Sequence, residues 1–270
     1  MYKKTIIILI LVSSIVLSSC KYQKLLKSSN AALKYEKAIE YYEKEDYFKA
    51  SQLLDELIII YRGTTKTEKI YFYYAYCHYH QEQYILASYH FKQFAKSFPK
   101  SQYTEECLFM SAYCTFLESP KYNLDQTSTR DALRELQLFV NLYPKSDRVK
   151  ECNKLIDELW LKLENKDYEI AKLYFKTSFY KASVYAFKNL LKEFPATKYK
   201  EEALFYILKA SYEYATNSVE AKKYVRLKDT IEAYNTLIKF FPDGEFTKDA
   251  NSINKITLKE LSRFEPQNSI

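Results

Sequence analysis

Histidine and cysteine are scarce in this chain, so the candidates for metal ligation and nucleophilic chemistry can be taken one by one. The histidines are His78, His80 and His90. Residues two apart on a helix point to nearly opposite sides, so His78 and His80 do not converge on one ion, and His90 falls on the next helix. Three partly exposed histidines and no metal site are expected. Cys77, Cys107, Cys114 and Cys152 are an even number, which invites disulfides. Helical register opposes this, because Cys107 and Cys114 stand two turns apart, about 10 Å, beyond the ~7 Å that a bridge allows. Buried free thiols are expected. No cysteine has an evident histidine partner, and no Gly-x-Ser-x-Gly elbow occurs. The carboxylate pairs Glu105-Glu106 and Glu201-Glu202 have the look of acid–base dyads. Each stands where a helix begins, however, and the helix dipole favours negative charge there. No catalytic residue, cofactor or metal is expected.

The elements that carry these residues follow from composition. The 270 residues include 2 Gly and 6 Pro, but Tyr 28 and Phe 17. Two glycines exclude dinucleotide fingerprints and leave primed β-turns without their usual residue. An all-α chain of long helices with a large aromatic core remains. Its net charge of +7 is well mixed, without a block of like charges, so nucleic acid is not expected as a partner.

Internal repeats organise the body. Second helices close on Phe98-Pro99, Tyr143-Pro144, Phe194-Pro195 and Phe241-Pro242. Twelve residues before each Pro sits a small residue: Ala87, Ala132, Ser183 and Thr230. Eight before it come Phe91, Leu136, Phe187 and Tyr234, and five before it Phe94, Phe139, Leu190 and Leu237. These intervals share one helical face, and each Pro stops its helix. Ala50, Leu54, Leu57 and Tyr61 repeat the pattern without the Pro, with Arg62 at its position and Gly63 next to it. First helices carry small residues at Ala38, Ala75, Ala112, Ala171 and Ala210, and Ser101 and Thr197 read as N-caps.

This pattern resembles the tetratricopeptide repeat. The resemblance implies a superhelical array of about five helix pairs over 30–62, 66–99, 102–144, 148–195 (an extra helix plus the fourth pair, 164–195) and 198–242. Insertions fall near 119–128 and 217–227. An extra helix near 148–163 precedes the fourth pair, and a helix near 247–264 caps the end within a C-terminal segment 245–270. In tetratricopeptide register the groove residues of the first three pairs are Tyr35, Ile39, Tyr42, Phe72, Tyr76, Tyr79, Phe109 and Tyr113. Tyrosine offers an apolar face plus a hydroxyl, which suits extended peptides; packing between repeats would employ the same rings.

The first residues are an address. Lys3-Lys4, an apolar run from Ile6 to Val12 and small residues beyond it read as a signal peptide over 1–19. Leu17-Ser18-Ser19-Cys20 resembles the lipobox of bacterial lipoproteins, which implies acylation of Cys20. Cleavage there lowers the net charge to +5, because 1–19 contain Lys3, Lys4 and no acid. Residues 20–29 read as a polar, lipidated tether.

Three stretches resemble the BamD family of outer-membrane assembly lipoproteins. They are Lys34–Tyr42 with Asp46-Tyr47, the insertion Ser119–Thr127, and Asp157–Tyr174 leading to Glu193-Phe-Pro-Ala-Thr197. The family resemblance implies a lipid-anchored outer-membrane protein facing the periplasm. It implies two partners besides outer-membrane lipid: the POTRA domains of BamA, a β-barrel protein, and unfolded outer-membrane protein precursors. An alternative is a periplasmic repeat scaffold for cell-envelope or division machinery. Fractionation tests the anchor: Cys20→Ala is expected to leave the membrane fraction, and retention there would remove the lipid.

Overall fold

The computed structural model describes residues 21–264. The expected signal peptide over 1–19, Cys20 and residues 265–270 lie outside them. Among the described residues every regular element is an α-helix. Residues 21–26 are helical (α1), followed by α2 (Ala31–Glu43), α3 (Tyr47–Ile60), α4 (Lys66–His80), α5 (Tyr84–Ser97) and α6 (Thr104–Leu117). Then come α7 (Thr127–Leu142), α8 (Val149–Lys176), α9 (Tyr180–Glu193), α10 (Lys200–Thr216), α11 (Glu220–Phe240) and α12 (Thr247–Leu261). Consecutive helices pack as tetratricopeptide-like pairs within two compact units, which among the described residues are 21–120 with 125–157, and 121–124 with 158–264.

The small residues sit at the helix crossings. Ala38, Ala50, Ala75, Ala87, Ala132, Ala171, Ser183, Ala210 and Thr230 are wholly buried. Ser183 shows why: its hydroxyl donates to the Ala171 carbonyl on the partner helix at 2.9 Å, a contact that a longer side chain would prevent. Phe91, Leu136 and Phe187 follow one turn later, also wholly buried.

The aromatic-Pro pairs end their helices uniformly. Phe98, Tyr143, Phe194 and Phe241 leave helical geometry with φ between −136° and −123°, and each amide still bonds four residues back. In the first repeat, which lacks the Pro, Gly63 follows Arg62 and takes φ +80°, a left-handed turn that only glycine adopts freely. Within the first, second and fourth pairs one three-residue turn recurs, with Glu45, Glu82 and Ser178 at φ 59–63°. Amides return to carbonyls five residues back, as Asp46 to Tyr41, Gln83 to His78 and Phe179 to Tyr174. This is a Schellman closure. The third and fifth pairs carry insertions at that turn and lack it.

Three expectations need correction. Ser101 and Thr197 do not cap helices: α6 and α10 begin at Thr104 and Lys200, and these hydroxyls accept from Tyr103 and Tyr199 amides one turn upstream. The extra helix and the first helix of the fourth pair are one 28-residue helix, α8, because no Gly or Pro interrupts it. The tether is not loose either. Tyr22, 6% exposed, packs with Leu25 and Leu26 against α2 and α3, and its hydroxyl donates to Lys49 O and Gln52 Oε1. Lys34, 1% exposed, is held by Glu56 at 2.6 Å and donates to the Leu26 carbonyl at 2.8 Å.

A left-handed glutamate stores about 1 kcal/mol of backbone strain. Glu82→Gly is therefore expected to raise Tm by about 1–3 °C, and Glu82→Val to lower it, in a thermal melt followed by circular dichroism.

Candidate peptide-binding face

The first helices α2, α4 and α6 bring their rings together within the first unit. Tyr42 of α2 meets Tyr73 of α4 edge-on at 4.7 Å. Tyr76 stands 6.2 Å from Tyr79, which reaches Tyr113 of α6 at 6.4 Å. Tyr113 stacks on Phe109 and Phe116 at 5.9 and 6.0 Å. Tyr35 sits at one end beside Tyr61, with the Lys66 ammonium over both rings. Tyr35, Ile39, Tyr42, Phe72, Tyr76, Tyr79 and Tyr113 are all half-buried, each with part of its side chain open to solvent.

Phe109 differs. It is 2% exposed, because the Arg148 guanidinium lies 4.3 Å over its ring. It therefore supports Tyr113 from beneath and offers no free face. Arg148 also donates to Glu106 at 2.9 and 3.0 Å, and Glu106 accepts from the Tyr76 hydroxyl at 2.8 Å. This polar chain joins α4, α6 and the start of α8 beneath the rings. The second unit repeats the device, with Lys172 of α8 donating to Tyr168 Oη and to Glu202 in the first turn of α10. The glutamate pairs thus stand in first turns as expected, and in each pair the second residue also reaches across to the preceding first helix. Only the tertiary structure supplies those partners. His80, flat on Tyr47 at 4.3 Å, and Tyr103, 4.5 Å from Phe72, complete the face and carry no local sequence signal.

Burial raises the phenol pKa of Tyr42, Tyr76 and Tyr79, and Glu106 pushes Tyr76 further in the same direction. These hydroxyls stay neutral. The face is apolar in area, with uncharged donors at its edges.

The reactive residues are packed away. Cys77, Cys107, Cys114 and Cys152 are buried free thiols. Burial lifts Cys77 and Cys114 to about 12 and Cys152 to about 11, so none is a thiolate near neutrality. Among the described residues no group of three or more His, Cys, Asp or Glu is placed to hold a metal ion. His78 is buried at 8% exposure rather than partly exposed: it stacks on His90 at 5.1 Å while its Nδ1 bonds Gln83 Oε1 at 2.7 Å. The cause is α5, which closes over that face of α4.

Residues 27–227 match the model of the family described as YfiO, outer membrane lipoprotein. The chain belongs to this family. In the YfiO-family chain the matched span holds all of α2 to α10, and so every residue of the aromatic face. The outer membrane protein assembly factor BamD of Caulobacter vibrioides is 28% identical over 148 residues, 55% of this chain and 48% of that protein. The chain thus aligns with about half the length of that relative. Two solved structures are similar at low scores. The TPR2AB-domain:pHSP90 complex of yeast Sti1 has a TM-score of 0.39 and 12% identity, covering 85% of this chain and 99% of that one. The P58(IPK) TPR domain has a TM-score of 0.38 and 14% identity, covering 94% and 69%.

Two measurements test this packing. Tyr76→Phe removes one hydrogen bond to a carboxylate and is expected to cost about 1.5–3 kcal/mol in denaturant unfolding. Burial, then the His78 beside it, lowers His90 to about 4. An unfolded histidine binds its proton near pH 6.5. Between these values the unfolded state holds more protons, so stability rises with pH and is lost as pH drops below about 6.5, by about 2 kcal/mol at pH 5 from this group. His90→Gln is expected to flatten that part of the profile.

Proposed function

We propose that this YfiO-family chain is a subunit of the β-barrel assembly machinery in the outer membrane. In this reading Cys20 carries the lipid and the helix pairs face the periplasm. The later repeats dock on the POTRA domains of a BamA-like barrel protein, and the earlier repeats receive unfolded barrel precursors. The observation that carries the proposal is the family match over 27–227. The assembly factor of Caulobacter vibrioides, similar over part of its length, supports it.

The aromatic face suits the second task on physical grounds. An unfolded barrel strand alternates apolar and polar residues and exposes its whole backbone. Half-buried tyrosines are rigid, having only two side-chain torsions, and their neighbours already hold them. They present apolar area to alternate side chains and hydroxyls to backbone groups without the cost of ordering long flexible side chains. The work is capture and release by binding alone, with no covalent step.

Affinity purification of the full-length protein from detergent-solubilised outer membranes is expected to recover a POTRA-bearing β-barrel protein in stoichiometric amount. Recovery of division or cell-wall proteins alone would favour the scaffold alternative and end the assembly reading. In a companion binding assay, Tyr35→Ala with Tyr79→Ala is expected to weaken an unfolded barrel segment about tenfold with the circular dichroism unchanged. Unaltered affinity would move the client off this face.

A further inference from the structure

The short helix α1 has two unlike faces. Over 21–27 the sequence reads Lys-Tyr-Gln-Lys-Leu-Leu-Lys. At about 3.6 residues per turn, Tyr22, Leu25 and Leu26 gather on one side and Lys24 and Lys27 on the other, with Lys21 at its flank. The apolar side is packed: Tyr22 is buried, and Leu25 and Leu26 lie half-buried beside it against α2 and α3. The three lysines are exposed. The Lys27 amide still bonds the Gln23 carbonyl at 3.3 Å, so the helical register reaches the last of them.

This lysine face carries charge of one sign only. Residues 1–35 contain no Asp or Glu, although acids and bases are mixed along the rest of the chain. On the neighbouring helices lysines find carboxylates close by: Glu40 takes Lys37 and Lys44, and Asp46 takes Lys49. Glu56 is held by the buried Lys34. Lys21, Lys24 and Lys27 have no acidic partner among the described residues. Their backbone is nonetheless fixed, because the Tyr22 hydroxyl donates to Lys49 O and Gln52 Oε1 and the Leu26 carbonyl accepts from Lys34. A loose tail would swing its charges to any side; this helix holds them on one.

Lys21 directly follows Cys20 in the chain. With Cys20 acylated, the reading on which this inference rests, a layer of lipid headgroups begins beside α1. Lys21 and Lys27 are about 9 Å apart along the helix axis at 1.5 Å per residue. That is close to one Debye length, ~8 Å at physiological salt, so none of the three ammonium groups stands beyond the field of that surface.

We propose that Lys21, Lys24 and Lys27 bind the headgroups of anionic phospholipids, laying the polar face of α1 against the leaflet that holds Cys20. Two or more acyl chains already keep a protein stably on a membrane. The lysines therefore add orientation rather than residence. An acylated cysteine is a single point about which a protein turns, and charges spread along α1 extend that point into a line. Because α1 is locked to α2 and α3, the line also decides which side of the first helix pair meets the bilayer. Lysine suits this task, since its flexible stem lets a compact ammonium reach a phosphate without demanding one geometry.

The test uses the full-length protein purified from its membrane and reconstituted in phosphatidylcholine vesicles, with or without about one-third phosphatidylglycerol. Acetylation of each lysine by a water-soluble reagent is followed by mass spectrometry. Lys21, Lys24 and Lys27 are expected to react at least about threefold more slowly in the anionic vesicles, and about 1 M salt, which shortens screening to ~3 Å, to restore the rate. Exposed Lys248 of the second unit is the reference and is expected to keep one rate throughout. Lys24→Glu with Lys27→Glu, both at exposed positions, is expected to free Lys21 in the anionic vesicles with the circular dichroism unchanged. Equal rates in the two vesicles, slowing of Lys248 along with the rest, or protection of Lys21 that survives the charge reversals would each overturn the proposal. Slowing by soluble glycerol phosphate without vesicles would identify a free-anion site and overturn it too. The same spectra report the N-terminal peptide. An unacylated Cys20 would end the anchor reading and this inference with it, whereas an acylated Cys20 with unprotected lysines would end this inference alone.

Discussion

The closeness of two helix axes at each crossing governs the rest of this molecule. A helix with one apolar stripe gains little alone and must bury that stripe against neighbours on both sides. Buried alanines, Ser183 and Thr230 at the crossings let the backbones approach until a hydroxyl can reach the carbonyl of the partner helix. Large residues one and two turns later then fill the space that diverging helices leave open. Exchanging the two sizes would fail twice, by overpacking at the crossing and by cavities beyond it. The high tyrosine content follows from the same geometry: a ring can reach across the widening gap and still place its oxygen in water.

Those crossings were legible because their signals are local. A small residue, two bulky ones at helical spacing and a closing Pro lie within thirteen positions, and the helix pairs follow that frame. Features that depend on distant partners were not legible. Phe109 reads as a groove ring until Arg148, some forty residues on, is seen over its face. Glu106 reads as a dipole residue until Tyr76 and Arg148 are found on it. Repeat length predicts a break inside α8, yet the interval from Val149 to Lys176 contains no residue that would make one. Left-handed Glu45, Glu82 and Ser178 are equally silent, since the usual residue for such a turn is glycine.

The two polar links below the first helices also explain how so aromatic a surface keeps its form. Stacked rings alone can slide with small loss, because dispersion is weakly directional. A tyrosine hydroxyl bound to a first-turn carboxylate that also holds a cation cannot slide without breaking charged hydrogen bonds. Glu106 and Glu202 thus set the register of one first helix on the next, and the rings inherit it.

The docking of Tyr22 bears on mechanics. Between Cys20 and Tyr22 there are two residue steps, at most about 7 Å of chain. With lipid on Cys20, as proposed, the first helix pair has almost no leash. Tyr22 sits in its socket beside Lys49, and Lys34 clamps the end of α1 with a buried ammonium whose release would strand a charge. The pair is then bolted to the bilayer like a bracket, fixed in height and tilt. A pull on a client held by these first repeats would be felt at the membrane as torque on that bracket, not as slack taken up in a string.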